Sequence, residues 1–170
     1  MMNYQILRIM NLKIIKLPFL LIIGLIAASC LKTTSEEEYR NEERLKIQNF
    51  LAANDSISFQ GKESGLFYAE VVTGTGISPE LNDTAYVFYS MKMINGIMIE
   101  TMQDKDTMIF PVGQDHVLAG LDEGVTYMKA GGKSMLVLPS DLAFGTQGYL
   151  GIPGFTPILM DVELIKVGKN

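Results

Sequence analysis

Apolar and polar residues alternate through TPILMDVELIKV, residues 156–167, with Ile158, Met160, Val162 and Leu164 on one side and Asp161 and Glu163 on the other. A period of two predicts a strand with one face in a core. GLFYAEVVTGTG (65–76) alternates and then turns, and TMIFPVG (107–113) and GGKSMLVLP (131–139) read as further strands. DTAYVFYSMKMINGIMIE (83–100) has two β-rich arms around Asn95-Gly96, the dipeptide preferred in a two-residue type I′ hairpin turn. HVLAGLDEGVTYMKAGGK (116–133) breaks the period. Its Val117, Leu118, Leu121, Val125 and Met128 are spaced as one face of a helix. Asp122 and Glu123 lie near its start and Lys129 near its end, as a helix dipole prefers, and Gly131 and Gly132 stop it. So short a helix is unstable alone. It is expected to pack on the apolar face of an antiparallel sheet, which makes an α+β domain.

Two segments surround this pattern. SEEEYRNEERLKIQNFLAAND begins with a capping-box arrangement of Ser35 and Glu38 and is expected to run helical to about Ala53. Its apolar residues, Tyr39, Leu45, Ile47, Phe50 and Leu51, form only a partial stripe. It reads as a solvated spacer, or as a helix at residues 35–53 that binds a partner or dimerises. SDLAFGTQGYLGIPGF (140–155) is a long loop dense in glycine and proline.

The first 29 residues carry Arg8, Lys13 and Lys16, no acid, and an apolar run from Leu17 to Ala28 that ends in Ala27, Ala28 and Ser29 before Cys30. That is the composition of an export signal, and its apolar run is shorter than the roughly 20 residues a spanning helix needs. Met10 offers an alternative start to Met1. The end of the signal resembles a bacterial lipobox, with Ala27 where leucine is usual, which implies lipidation of Cys30. Cys30 is the one cysteine of the chain and so has no internal disulfide partner. Leu31 follows it, where an aspartate would favour inner-membrane retention, so the outer membrane with a periplasmic domain is expected. The divisions are residues 1–29 as signal, 30–56 as tether and helix, and 57–170 as the folded domain. Without residues 1–29 the chain holds 11 basic and 19 acidic residues, which argues against nucleic-acid partners. One histidine and one cysteine are too few for a catalytic triad or a zinc cluster, so no metal or cofactor is expected.

Three pieces, in order, carry a family resemblance: AYVFYSMKMINGIMIET, FPVGQDHVLAGLDEGVTYMKAGGKSMLVLP and SDLAFGTQGYLGIPGFTPILMDVELIKV. Together they resemble the FKBP-type peptidyl-prolyl cis-trans isomerases over roughly residues 65 to 167, and the lipidated tether and Glu-rich helix are similar to those of envelope FKBP lipoproteins, a gliding-motility-associated type among them. The resemblance implies a twisted antiparallel sheet wrapped around the short helix, with an apolar pocket for a proline ring between them. Tyr89 keeps the family's tyrosine, and Ile99 and Glu100 stand where it has phenylalanine and aspartate. Met108 replaces a phenylalanine of the pocket wall. Val117 and Leu118 match its valine-isoleucine pair, with the Leu118 N–H expected to bind a substrate carbonyl. Leu121 replaces the tryptophan of the floor. Phe144 replaces a tyrosine whose hydroxyl binds substrate, Tyr149 a histidine, and Met160 a phenylalanine, while Ile152 matches a loop isoleucine.

The resemblance therefore implies catalytic roles for Tyr89, Glu100, Leu118 and Phe144. Ile99, Met108, Val117, Leu121, Tyr149, Ile152 and Met160 would bind proline-containing polypeptide clients. His116 reads as a loop residue. Phe144 cannot donate the expected hydrogen bond. Alternatives are thus a catalytically weak chaperone or binding module on the same fold, and an accessory subunit of an envelope motility or secretion machine that uses the Glu-rich helix.

Overall fold

The computed structural model describes residues 36–102 and 107–170. The expected export signal, Cys30, the expected tether and Ser35 of the expected capping box lie outside the described residues. The alternating segments form strands β1 (Gln60–Gly61), β2 (Phe67–Val72), β3 (Thr84–Met93), β4 (Met98–Met102), β5 (Met108–Pro111), β6 (Gly132–Leu138) and β7 (Ile158–Gly168). They make one sheet in the order β1-β2-β6-β7-β3-β4, every pairing antiparallel. β5 shares the outer edge of β3 with β4, pairing with Thr84–Val87 while β4 pairs with Tyr89–Lys92. The inward residues of the three longest strands, among them Val87, Tyr89, Leu136, Leu138, Met160 and Leu164, meet in one core.

Helix α2 (Ala119–Thr126) lies against this core through Leu121 and Val125. Its glycines set how close it comes. A Cβ on Gly120 would stand 2.4 Å from Leu138 Cγ, and one on Gly124 would stand 2.6 Å from Leu136 Cδ1. Two glycines one turn apart thus give β6 leucines room against the helix backbone. The helix is shorter than its apolar spacing suggests. Tyr127 caps it, so Met128 is buried beyond its end and Lys129 is outside its last turn. Asp122 has a different task from the expected dipole partner. It is 7% exposed and accepts the Gly113 N–H at 2.8 Å, which ties the loop after β5 to the helix.

The β3–β4 turn also differs from expectation. Gly96 donates to the Met93 carbonyl and Met93 donates to the Ile97 carbonyl, each at 2.8 Å. Gly96 has φ +92° while Asn95 is not left-handed. This is a three-residue loop whose last glycine is left-handed, not a two-residue type I′ turn.

The upstream helix, α1, spans 36–53. From Glu42 onward it belongs to the same compact unit as the sheet, residues 42–170. Ile47 is buried with Val137 and Leu159 on the sheet face opposite α2, and Phe50 and Leu51 pack beside them. This half of the helix is a layer of the domain, not a solvated spacer. The apolar stripe looks partial because its inward position one turn before Ile47 holds a carboxylate, Glu43, which is 6% exposed. Leu45 is off the stripe and exposed.

The glycine contacts generate a stability prediction. Gly120→Ala gains helix propensity of about 1 kcal/mol, but overpacking against Leu138 costs about 1–3 kcal/mol. Urea unfolding is expected to show a net loss of up to roughly 2 kcal/mol. Unchanged or raised stability would mean the helix is free to move outward.

Candidate functional site

A cavity of about 520 Å³ opens between the start of α2, the inward face of β3 and β7, the β4–β5 edge and the loop that follows β6. Its floor is built from the alternating strands. Tyr89 and Met91 on β3 and Met160 on β7 reach it by the period of two, and Leu121 on α2 closes it. Val117 and Leu118 form the wall where the chain enters the helix. Leu118 is the residue before the first helical turn, with extended φ −55° and ψ 134°. Its carbonyl accepts the N–H groups of Leu121 and Asp122. Its own N–H meets no acceptor among the described residues, as the first N–H groups of a helix do unless something caps them.

The opposite wall depends on an irregularity. Met91 pairs with Glu100 but Lys92 pairs with Met98, so Ile99 is an extra residue in β4. Neighbouring residues of a regular strand point to opposite faces. The bulge lets both Ile99 and Glu100 line the cavity, with Met108 of β5 beside them. Glu100 and Tyr89 face the same cavity. Burial first, then the neighbouring Glu100 carboxylate, push the Tyr89 hydroxyl well above its usual value. Tyr89 is therefore a neutral donor through the physiological range, and not a base or nucleophile.

The third wall is the loop after β6. A short 3-10 turn at Ser140–Leu142 leads into Phe144, whose ring stacks on Tyr149 with centroids 5.8 Å apart and planes 6° from parallel. Tyr149 and Ile152 pair through two backbone bonds of 3.0 and 2.8 Å. The two residues between them, Leu150 and Gly151, both have positive φ, +41° and +89°. This is the type I′ geometry expected elsewhere in the chain, and here it places a leucine where asparagine is preferred. Leu150 is 85% exposed at the rim.

All eleven pocket residues expected from the sequence line this one cavity: Tyr89, Ile99, Glu100, Met108, Val117, Leu118, Leu121, Phe144, Tyr149, Ile152 and Met160. Three further residues share it, Met91, His116 and Leu150. Met91 was legible two residues beyond Tyr89 on the same strand face. His116 and Leu150 carried no signal, since their loops bring them to the rim. A second groove, of about 390 Å³, crosses the sheet beside Phe88 and Met135. The ion pairs Lys92–Asp161 and Lys133–Glu163, each 2.9 Å, already use the charged groups there. The cavity offers mostly apolar walls, the neutral Tyr89 hydroxyl and the unpaired Leu118 N–H. That set suits holding and bending an amide better than attacking it.

Residues 76–165 match the family of FKBP-type peptidyl-prolyl cis-trans isomerases. The isomerase FkpA of Aeromonas hydrophila is 35% identical over 130 residues, covering 75% of this chain and 48% of that protein. FkpA of Escherichia coli K12 is 36% identical over 105 residues, 61% of this chain and 38% of its own length. A Pseudomonas syringae peptidyl-prolyl cis-trans isomerase crystal structure superposes with TM-score 0.68 at 28% identity, covering 78% of this chain and 96% of that one. The Escherichia coli FkpA crystal structure gives TM-score 0.68 at 28% identity, over 89% and 70% of the two chains. The chain thus spans less than half the length of these FkpA sequences. It belongs to the FKBP-type peptidyl-prolyl cis-trans isomerase family.

The loop geometry predicts an effect of its own. A left-handed conformation costs a side chain such as leucine roughly 1–2 kcal/mol, which asparagine largely avoids. Because Leu150 is exposed, Leu150→Asn removes little packing. Urea unfolding should show a gain of about 1 kcal/mol, and a loss would mean that Leu150 makes a contact the strain is spent on.

Proposed function

We propose that this family member is a working prolyl isomerase of the bacterial cell envelope, lipid-anchored through Cys30 at the outer membrane and facing the periplasm, with proline-containing polypeptides as clients. The observation that carries the reading is the apolar cavity with the unpaired Leu118 N–H in its wall. Amide resonance gives an X-Pro bond a barrier near 18–20 kcal/mol. Uncatalysed exchange takes roughly 10–100 s. The twisted amide has lost resonance and is less polar than either planar form, so apolar walls favour it over the ground state. Each 1.36 kcal/mol of that preference is worth about tenfold in rate.

In this reading Leu121, Met160, Ile99 and Met108 hold the proline ring, and Val117, Tyr149 and Ile152 hold the flanking chain. The Leu118 N–H fixes a client carbonyl. Tyr89 offers its hydroxyl edge to the floor, and Phe144 presses on the bond that turns. No step is covalent. The short cationic leader before Cys30 supports the envelope assignment. Methionines at Met108 and Met160 give adaptable walls, which suits varied clients.

A weaker catalyst whose main work is binding is the second reading, and Phe144 favours it, because a phenyl ring cannot donate to the client. A partner from an envelope machine would have to use the Leu45 side of α1, since the Ile47 face is covered by β6 and β7.

Residues 31–170, without the lipid, are expected to accelerate cis/trans relaxation of a proline tetrapeptide series. Phe144→Tyr should restore a hydrogen bond of about 0.5–1.5 kcal/mol and raise kcat/KM roughly two- to tenfold. No acceleration by either protein at high concentration removes the isomerase reading. Suppression of client aggregation in that case would leave the binding module standing.

A further inference from the structure

We infer that Glu43, on the helix upstream of the family-matched residues, is a positioning residue for the loop that roofs the cavity, so that the seating of α1 sets how well the site is formed. Both oxygens of Glu43 are engaged by one residue. The Ser140 hydroxyl donates to Oε2 at 2.9 Å, and the Ser140 N–H donates to Oε1. Ser140 is fully buried and Glu43 nearly so. A buried carboxylate with two donors from the first residue of a loop is specific: removing it leaves both donors without an acceptor.

The link runs on from Ser140. Its carbonyl accepts the N–H of Ala143 at 2.9 Å and that of Gly145 at 2.8 Å, so it brackets Phe144 on both sides. Gly145 in turn accepts the Phe155 N–H at 3.2 Å, where the loop returns towards β7. Phe144 stacks on Tyr149. Glu43 therefore fixes the residue from which the aromatic roof is hung, though neither its carboxylate nor Ser140 lines the cavity. One turn later Ile47 packs on Val137 at the end of β6, the strand that leads into Ser140. Helix and loop thus share an apolar contact and a charged one, and a helix lifted from the sheet would take the carboxylate with it.

The inference rests on the cavity being the isomerase site, and the test separates the two. In residues 31–170, native hydrogen exchange and kcat/KM on the peptide series are compared for Glu43→Ala, Glu43→Gln, Ser140→Ala and the exposed neighbour Glu42→Ala. Glu43→Ala should speed exchange at the Ala143 and Gly145 amides about tenfold while core amides of β7 keep theirs. It should lower kcat/KM by roughly three- to tenfold, mostly through KM. Glu43→Gln keeps an acceptor and a polar partner and should recover most of both effects. Ser140→Ala, which keeps the N–H bond, should fall between, and Glu42→Ala should change neither. Should Glu43→Ala fail to fold, Glu43→Gln and Ser140→Ala carry the comparison. Equal acceleration of loop and β7 amides, with kcat/KM of the folded fraction intact, would make Glu43 a stability residue only and overturn the inference. An inactive native protein would remove the isomerase reading, and loop exchange would still decide whether Glu43 holds the roof.

Discussion

The close seat of α2 on β6 is the contact on which the rest of the site depends. Leu118 and Leu121 belong to the start of that helix, so their distance from Tyr89 and Met160 is set by how near the helix axis lies to the sheet. Gly120 and Gly124 set that distance by leaving the space a Cβ would fill to Leu138 and Leu136. A helix of this length has little stability of its own. Its burial supplies the stability, and its open first turn supplies the donor. One packing contact thereby serves both fold and chemistry.

The cavity walls show how an antiparallel sheet makes a site without a dedicated domain. A regular strand offers alternate residues to one face, and that suffices for the floor. The wall at Ile99 and Glu100 needs two neighbours on one side, which takes a bulge. With it comes Glu100 on the same wall as Tyr89, and burial first, then that carboxylate, keep the phenol neutral. Aromatic bulk is sparse on the floor and concentrated in the roof, at Phe144 and Tyr149, where a loop rather than a strand must hold it. The fixing of that loop, from its first residue through Ser140 and Glu43, therefore bears on the site as much as the packed core does.

The domain is also thicker than its family-matched span of 76–165. The sheet has an apolar face on each side: one toward α2, the other covered by Ile47, Phe50 and Leu51. A helix that reads as a tether is in this half a structural layer. The cavity on one side and the α1 layer on the other share strand β7, which turns Met160 to the first and Leu159 to the second.

The strands were legible in the chain because alternation is a local property, and Ile158, Met160, Val162 and Leu164 announce their face whatever they pair with. The helix was legible by its 3.6 spacing, and the pocket residues by a resemblance that rests on ordered local motifs. Three features could not be read. Ile99-Glu100 looks like ordinary alternation until Met91 and Lys92 show which residues they pair with. The left-handed pair was expected at Asn95-Gly96 and lies at Leu150-Gly151, because Tyr149 and Ile152 pair there. Glu43 looks like one more acid on a solvated helix until Ser140, 97 residues away, supplies both its hydrogen bonds. Local spacing thus determined the elements and the face each one buries. The tertiary structure decided the bulge, the strained turn and the buried carboxylate, since each is set by a partner distant in the chain and leaves no period in the residues themselves.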